Sequence, residues 1–315
     1  MPRYPVSGWV EAGLYVFAIG FLSLAYVIGH QLGAHPIAFI LYAMTVSAVV
    51  LLSVTGLGDD ALSVILAPQS WMVGIGTIAM EVFYYQILEH VSPALGSLLV
   101  RLTIPLSMVV GWSLYGRRPA RPSLIGAAII CAAIVPMLFT SAPGHRWSIV
   151  LLAFACACAY ALRGFSAEFH PWNRAARTVR EKLRITGLVV LVTSVAGLAL
   201  AGVCSALIAA DVLPATSVVP TAAQMLHGPT VLLGVFVGSI ILTAMAVLNF
   251  SCVVKITTEN FAATSAFTPV ATLLVQLAAG ALGFIPFFPI DRSLLPAMAV
   301  VILGVFLILY SARRR

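Results

Sequence analysis

The chain has 315 residues, of which 61% are apolar and only 9% are charged, and its formal net charge is +7. Its mean hydropathy of +1.07 is far above that of soluble globular proteins, so the composition excludes a soluble globular domain. An integral membrane protein is predicted instead.

Ten runs of about 20 mostly apolar residues follow one another, and each is long enough to cross a bilayer as a helix. They lie at approximately 9–29, 36–55, 71–88, 93–115, 123–140, 147–164, 185–209, 230–252, 261–284 and 293–312. None shows the period-two alternation of a lipid-facing barrel strand, so we expect an all-α fold. The first run contains Glu11 and leads into the second without a small-residue cleavage site, which indicates a retained helix rather than a signal peptide.

Positive side chains collect in alternate connections between the runs, as in the positive-inside pattern. Arg146 and Arg292 lie in the other connections, and Arg101 lies within a run. The remaining fourteen are Arg3, Arg117, Arg118, Arg121, Arg163, Arg174, Arg177, Arg180, Lys182, Arg184, Lys255, Arg313, Arg314 and Arg315. We therefore expect both termini to be cytoplasmic. The basic segment between runs six and seven is expected to lie among anionic lipid headgroups rather than on nucleic acid.

Runs four and nine share a pattern of small and hydroxyl residues before a proline and an apolar tail after it, with Pro105 and Pro269 as the matching points. A proline inside a span bends the helix and frees a carbonyl. Two bends in equivalent places predict two inverted five-helix repeats, residues 1–141 and 142–315, within one membrane domain. Both prolines are candidate hinges.

Three segments resemble the drug/metabolite transporter superfamily, in particular its EamA-type ten-helix carriers. They are SLLVRLTIPLSMVVGWSLYGRRPARPSLIGAAIICAAI in runs four and five, TSAFTPVATLLVQLAAGALG in run nine, and VLLAFACACAYALRGF in run six. The resemblance covers nearly the whole chain. It implies efflux of small organic metabolites by alternating access across the inner membrane, through a cavity lined by runs one, three, four, six, eight and nine. Family members often carry an acidic residue just after run four, where this chain has Gly116, Arg117 and Arg118.

Glu81 and Arg101 are charged residues inside runs three and four, which form an antiparallel hairpin. Both are equally far from its turn near residue 91, so they should lie at matching depth. An unpaired charge there would be costly, and pairing is the simplest expectation. The pair could be a helix lock or could bind the two charges of a zwitterion such as an amino acid.

Neutral polar residues complete the candidate substrate site. Tyr84 and Tyr85 lie near the face of Glu81 on run three. Asn249 and Ser265, in runs eight and nine, could form the opposite wall, although such residues more often join helices by hydrogen bonds. Glu11 and the histidines at positions 30, 35 and 90 fall near run ends, where solvated roles are expected. The five cysteines form an odd set within the runs and predict no disulfides.

Two alternatives to a metabolite carrier stay open. A lipid or lipid-linked flippase could use the same fold, with membrane lipids as its substrate. A membrane enzyme would need a recognisable motif, and the sequence has no paired acidic, His-x-x-x-His, Gly-x-Ser-x-Gly or phosphate-loop pattern. We therefore expect no enzymatic activity, no cofactor and no metal. Coupling of transport to a proton is also left open.

Overall fold

The computed structural model describes residues 7–140, 144–216, 218–286, 288 and 293–312, and these form an all-helical bundle. Each of the ten predicted runs lies in a long helix. These are α1 (Gly8–Gln31), α2 (Pro36–Thr55), α3 (Pro68–Leu88), α4 (Pro93–Tyr115), α5 (Arg121–Thr140), α6 (Arg146–Glu168), α7 (Val179–Ala209), α8 (Gly228–Ile256), α9 (Thr258–Ala281) and α10 (Leu294–Ala312). Short helices at Ala61–Leu66, Pro171–Ala175 and Ala222–Met225 lie in the connections.

Within the described residues, nine helices, α1 to α9, are long and apolar enough to cross a membrane, and α10 is a slightly shorter apolar helix. Their outer surface suits lipid: α1 exposes Val10, Leu14, Phe17 and Phe21, which recur at helical spacing along one face. Exposed tryptophans lie near helix ends, as in an interfacial aromatic belt: Trp9, Trp71, Trp112 and Trp147. The chain is therefore an α-helical multi-pass membrane protein.

Local sequence explains where the helices begin. Prolines occupy the first position of α2, α3 and α4, where a missing amide hydrogen has no intrahelical partner to lose. Thr178 and Glu181 form a capping box that starts α7 six residues earlier than its apolar run.

The N-side is the end of the bundle at which α1 begins, and the far side is the opposite end.

Three of the long apolar helices are interrupted within their length by a turn of another helical type. A 3₁₀ turn, Val100–Leu102, interrupts α4, and a second, Ser265–Phe267, interrupts α9. Both precede the matched prolines by about one turn, because proline removes the bond to the carbonyl four residues earlier. A π-helical turn, Gly238–Leu242, interrupts α8, and such turns often occur at functional sites.

The helix neighbours follow a reciprocal pattern. Helix α3 packs along α6 and α8 along α1, while α4 meets α9, α2 meets α7 and α5 meets α10. A two-fold rotation that exchanges α1–α5 with α6–α10 would generate this pattern. The repeat division at 141/142 falls on residues outside those described, and the superposition of the two halves stays a prediction.

Candidate functional site

Glu81 lies past the middle of α3 with only 2% of its surface exposed. Its carboxylate accepts a hydrogen bond of 2.7 Å from the hydroxyl of Tyr26 on α1. The positive charge that acts on it is that of Arg163 on α6. Glu81 is therefore held between α1 and α6.

Arg101 is also buried, but the expected ion pair between Glu81 and Arg101 is wrong, since no such pair lies within 4.0 Å among the described residues. Arg101 Nε donates to the carbonyl of Ser97 at 2.9 Å. Its Nη1 donates to the carbonyl of Ser265 at 2.5 Å and to the Ser265 hydroxyl at 2.6 Å. The hydrogen-bond acceptors of Arg101 are therefore neutral oxygens of Ser97 and Ser265, and not the Glu81 carboxylate that the sequence predicted.

The contact between Arg101 and Ser265 has a backbone cause. Pro269 has no amide hydrogen to give to the Ser265 carbonyl four residues earlier, so this carbonyl accepts the shorter 3₁₀ bond from the Thr268 amide and a second bond from Arg101. Arg101 and Ser265 are 164 positions apart, as are Pro105 and Pro269. Residues at equivalent positions of two repeats can touch only near the axis that relates them, so this contact lies where the predicted two-fold axis would pass.

Arg163 is the main residue that the sequence analysis misplaced. It was assigned to a cytoplasmic loop, whereas it lies within α6 and is 5% exposed. It donates to the Tyr15 hydroxyl at 2.8 Å and its guanidinium lies 5.3 Å from the Tyr160 ring centre. Gly76 of α3 permits this position, because an added Cβ would lie 2.9 Å from the backbone nitrogen of Arg163. The sequence contained this information, because the sixth apolar run, at 147–164, already includes position 163.

Two small cavities flank Glu81, and both are also lined by Met245 of α8. The Arg101 cavity, of about 30 Å³, is lined by Tyr15, Ile19, Leu22, Met80, Glu81, Tyr84, Val100, Arg101, Cys156, Tyr160 and Met245. The Arg163 cavity, of about 40 Å³, is lined by Met44, Ser47, Val73, Thr77, Glu81, Arg163, Thr186, Val189, Val190, Leu242, Met245, Ala246, Asn249 and Phe250. Each has room for about two or three water molecules. The two cavities together form the candidate site.

The other predicted site residues divide into three groups. Asn249 lines the Arg163 cavity, and Tyr84 lines the Arg101 cavity, where its hydroxyl is 2.8 Å from that of Ser23. Ser265 holds Arg101 rather than lining either cavity. Tyr85 is fully buried and its hydroxyl donates to the carbonyl of Ala34 at 2.9 Å, near the far side. Tyr85 is thus outside both cavities.

Ion pairs connect the helices at the N-side. Arg117, just after α4, donates to Glu168 at the end of α6 and, at 2.8 Å, to Glu259 at the start of α9. Burial lowers the pKa of Arg117, but the two carboxylates outweigh it, and the pKa is raised above its ordinary value. Glu168 also accepts from the Thr258 amide at 3.0 Å. These contacts join the two predicted repeats at the N-side, beside a pocket of about 610 Å³ that Arg117 and Glu259 also line.

A second N-side ion pair corrects the expectation that Glu11 is solvated. Glu11 accepts from Lys255 at 2.6 Å and from Ser251 at 3.1 Å, with 13% of its side chain exposed. At the far side, His35 is buried, so a solvated role for it is also wrong, whereas His30 is partly exposed and contacts the carbonyl of Tyr85 at 3.0 Å. Gln276 accepts from the Ala94 amide, which joins α9 to α4 at the same side.

The segment after Arg163 is only partly the basic surface strip that the sequence suggested. Arg174, Arg177 and Arg180 are exposed. In contrast, His170 is fully buried and lies 2.9 Å from the Ser70 hydroxyl, and buried Lys182 donates to Asn173. This segment therefore docks onto α3 and α7 as well as facing the N-side.

In the part of the chain that the structure describes, no group of three or more His, Cys, Asp or Glu side chains could hold a metal ion. All five cysteines are free thiols, and Cys156 and Cys252 are buried. The fold and its buried charges therefore define a multi-pass helical membrane protein with a polar centre.

Comparison with known proteins adds information on the fold. No family model matches the chain, and no curated protein matches it. A solved structure described only as "Crystal structure of protein" is similar over 98% of this chain and 99% of its own, with a TM-score of 0.62 and 21% sequence identity. The chain thus shares its fold with a known structure along nearly its whole length.

Proposed function

We propose that the protein is a membrane transporter of small, charged organic metabolites, with amino acids and similar zwitterions as the first candidates. The observation that carries the proposal is the burial of Glu81, Arg101 and Arg163 around two cavities where broken helices meet. Ionisable residues at membrane depth are expensive, and they typically mark substrate or ion pathways. Discontinuous helices at the midplane are typical of carrier binding sites.

Alternating access fits the closures at both ends of the bundle. Each cavity has room for only a few water molecules, and the N-side ion pairs and far-side hydrogen bonds lie toward the two ends of the bundle. This arrangement suits an occluded conformation. Opening at the N-side would separate Arg117 from Glu168 and Glu259, and opening at the far side would separate Tyr85 from Ala34. Pro105 and Pro269 are the proposed hinges.

We further propose membership of the EamA-type carriers of the drug/metabolite transporter superfamily, two inverted repeats, and efflux across the inner membrane. The N-side would be cytoplasmic. Arg163 is buried within a helix and is removed from the fourteen positive residues assigned to that side. The remaining thirteen still outnumber the two positive residues assigned to the far side, Arg146 and Arg292. The reciprocal helix neighbours support the repeat assignment. No enzymatic activity is proposed.

The flippase alternative has one observation in its favour. An apolar groove of about 500 Å³ opens between α2, α3 and α7, and its lining includes Leu41, Ile78, Phe83 and Leu200. An acyl chain would fit its chemistry. However, Glu81 and Arg101 are 2% and 3% exposed and do not line the groove, so a lipid headgroup would have no polar path. The burial of the charged centre favours a water-soluble substrate.

The test is reconstitution of the purified protein into liposomes. Uptake of radiolabelled amino acids, organic acids, sugar phosphates and cationic dyes is measured beside scrambling of a fluorescent phospholipid in the same vesicles. We expect saturable uptake of a charged metabolite with no acceleration of scrambling. Accelerated scrambling without solute uptake would instead support the flippase.

A further inference from the structure

The buried charges of the candidate site do not balance. Two guanidinium groups, Arg101 and Arg163, face the two cavities, and Glu81 is the single carboxylate in either lining. Arginine keeps its proton in proteins. The centre therefore carries a net charge of +1 with Glu81 ionised, and a larger positive charge if Glu81 is protonated. The other polar lining groups are neutral hydroxyls, a thiol and an amide.

The Arg163 cavity also holds unused hydrogen-bond donors. Arg163 Nε, Asn249 Nδ2 and Ser47 Oγ are buried and have no hydrogen-bond partner among the described residues. These residues are 5%, 5% and 1% exposed, respectively. Most buried polar groups in proteins have partners. Three unpartnered groups in the lining of one cavity indicate a place for a ligand rich in acceptors.

The two arginines differ in what remains available to a ligand. Arg101 already donates to three oxygens, of Ser97 and Ser265, and so fastens α4 to α9. Arg163 donates to one hydroxyl, that of Tyr15, and its Nε is unused. A carboxylate is the group that best matches a guanidinium edge next to amide and hydroxyl donors.

We propose that the transported ligand carries a net negative charge and that its anionic group binds Arg163, Asn249 and Ser47. This inference rests on the proposed transport function and narrows its substrate class from zwitterions to organic anions. Amino acids remain within this class if they carry a second acidic group, because one ammonium and two carboxylates complement Glu81 and the two arginines. The binding site is thus centred on Arg163 rather than on Arg101.

Formate and formamide provide a matched pair of probes, since they have nearly the same shape and differ in charge. Both are small enough for the existing cavities. The melting temperature of the purified protein in detergent is measured against 0–100 mM of each, with ionic strength held constant by sodium chloride, whose anion has no carboxylate group. We expect formate to raise the melting temperature saturably, by about 2–4 °C at ten times its Kd, and formamide to have no such effect.

Variants assign the effect to the site. Arg163→Gln should abolish the formate shift, whereas Arg163→Lys should keep a weaker one because it keeps the charge. Asn249→Leu is a second route if Arg163→Gln fails to fold, and it should weaken formate binding severalfold. Arg118→Gln alters an exposed arginine outside both linings and is the control that should behave as the unaltered protein.

Three results would overturn the inference. The first is an equal response to formate and formamide, and the second is no response to formate. The third is a full formate shift in both Arg163→Gln and Asn249→Leu. Failure here is distinct from failure of the transport proposal. Saturable uptake of neutral zwitterions together with no formate shift would leave a transporter with another substrate class. A formate shift without uptake of any solute would leave an anion site in a protein that is not a carrier.

Discussion

The link between Arg101 and Ser265 can be measured by a double-mutant cycle. Arg101→Met removes three hydrogen bonds, at 2.9, 2.5 and 2.6 Å, and Ser265→Ala removes the acceptor of one of them. A hydrogen bond to a charged group contributes about 1.5–3 kcal/mol, but burial of the guanidinium opposes this by several kcal/mol. We therefore expect Arg101→Met to lower the free energy of unfolding by only about 1–3 kcal/mol.

The coupling energy is the more informative quantity because much of the desolvation cancels in the cycle. We expect a coupling of about 1–2 kcal/mol between Arg101→Met and Ser265→Ala. The Glu81→Gln and Arg101→Met cycle should give a smaller value, since these two residues make no direct contact. Unfolding by SDS in mixed micelles, followed by circular dichroism, supplies the free energies. A coupling of Glu81 to Arg101 that equals or exceeds that of Ser265 to Arg101 would refute the assigned partners.

Three further predictions concern packing, pH and orientation. Gly76→Ala should destabilise by about 1–3 kcal/mol because its Cβ would lie 2.9 Å from the backbone nitrogen of Arg163, whereas Gly13→Ala, with nothing within 4 Å, should be neutral or stabilising in the same unfolding assay. Burial and the nearby charge of Lys182 lower the pKa of His170 to about 4 from its ordinary 6.5. Because the unfolded chain then binds the proton more readily, stability should fall as pH falls from about 6.5 to about 4, by up to about 3 kcal/mol. His170→Gln should flatten this dependence, and an unchanged slope would contradict the assignment. A cysteine introduced between Arg117 and Arg121 should not react with an impermeant thiol reagent added to intact cells. Rapid labelling would show that this loop is outside the cell and that the proposed orientation is wrong.

The general architecture was predictable because length and apolarity alone decide which segments can cross a membrane. Each of the ten runs coincides with a long helix to within a few residues, and the prolines at 105 and 269 marked two of the three broken spans, whereas the π-helical turn in α8 was not predicted. The breaks fall one turn earlier than the prolines, because each proline lacks the amide hydrogen that would bond to the carbonyl four residues before it. These features depend on local chemistry, which a single sequence contains.

The partners of the buried charges were not predictable in the same way. The equal distance of Glu81 and Arg101 from the hairpin turn predicts that they lie at the same depth. It does not determine whether they face each other, because tertiary packing sets the rotation of each helix. Neutral oxygens from Tyr26 and Ser265 satisfy the two charges instead. Arg163 was missed because a charge was taken as the end of an apolar run, although buried arginines are tolerated where tyrosines and a carboxylate surround them.

Uptake into proteoliposomes shows whether Glu81 belongs to the substrate pathway of a carrier. The measurement compares Glu81→Gln with Glu89→Gln, which makes the same change at the exposed end of the hairpin, using the best substrate of the unaltered protein. Circular dichroism and unfolding by SDS establish that both variants are folded. We expect Glu89→Gln to transport normally and a folded Glu81→Gln to lose at least tenfold in uptake rate, which corresponds to about 1.4 kcal/mol. Full transport by a folded Glu81→Gln protein would show that the Glu81 carboxylate has no part in the substrate pathway.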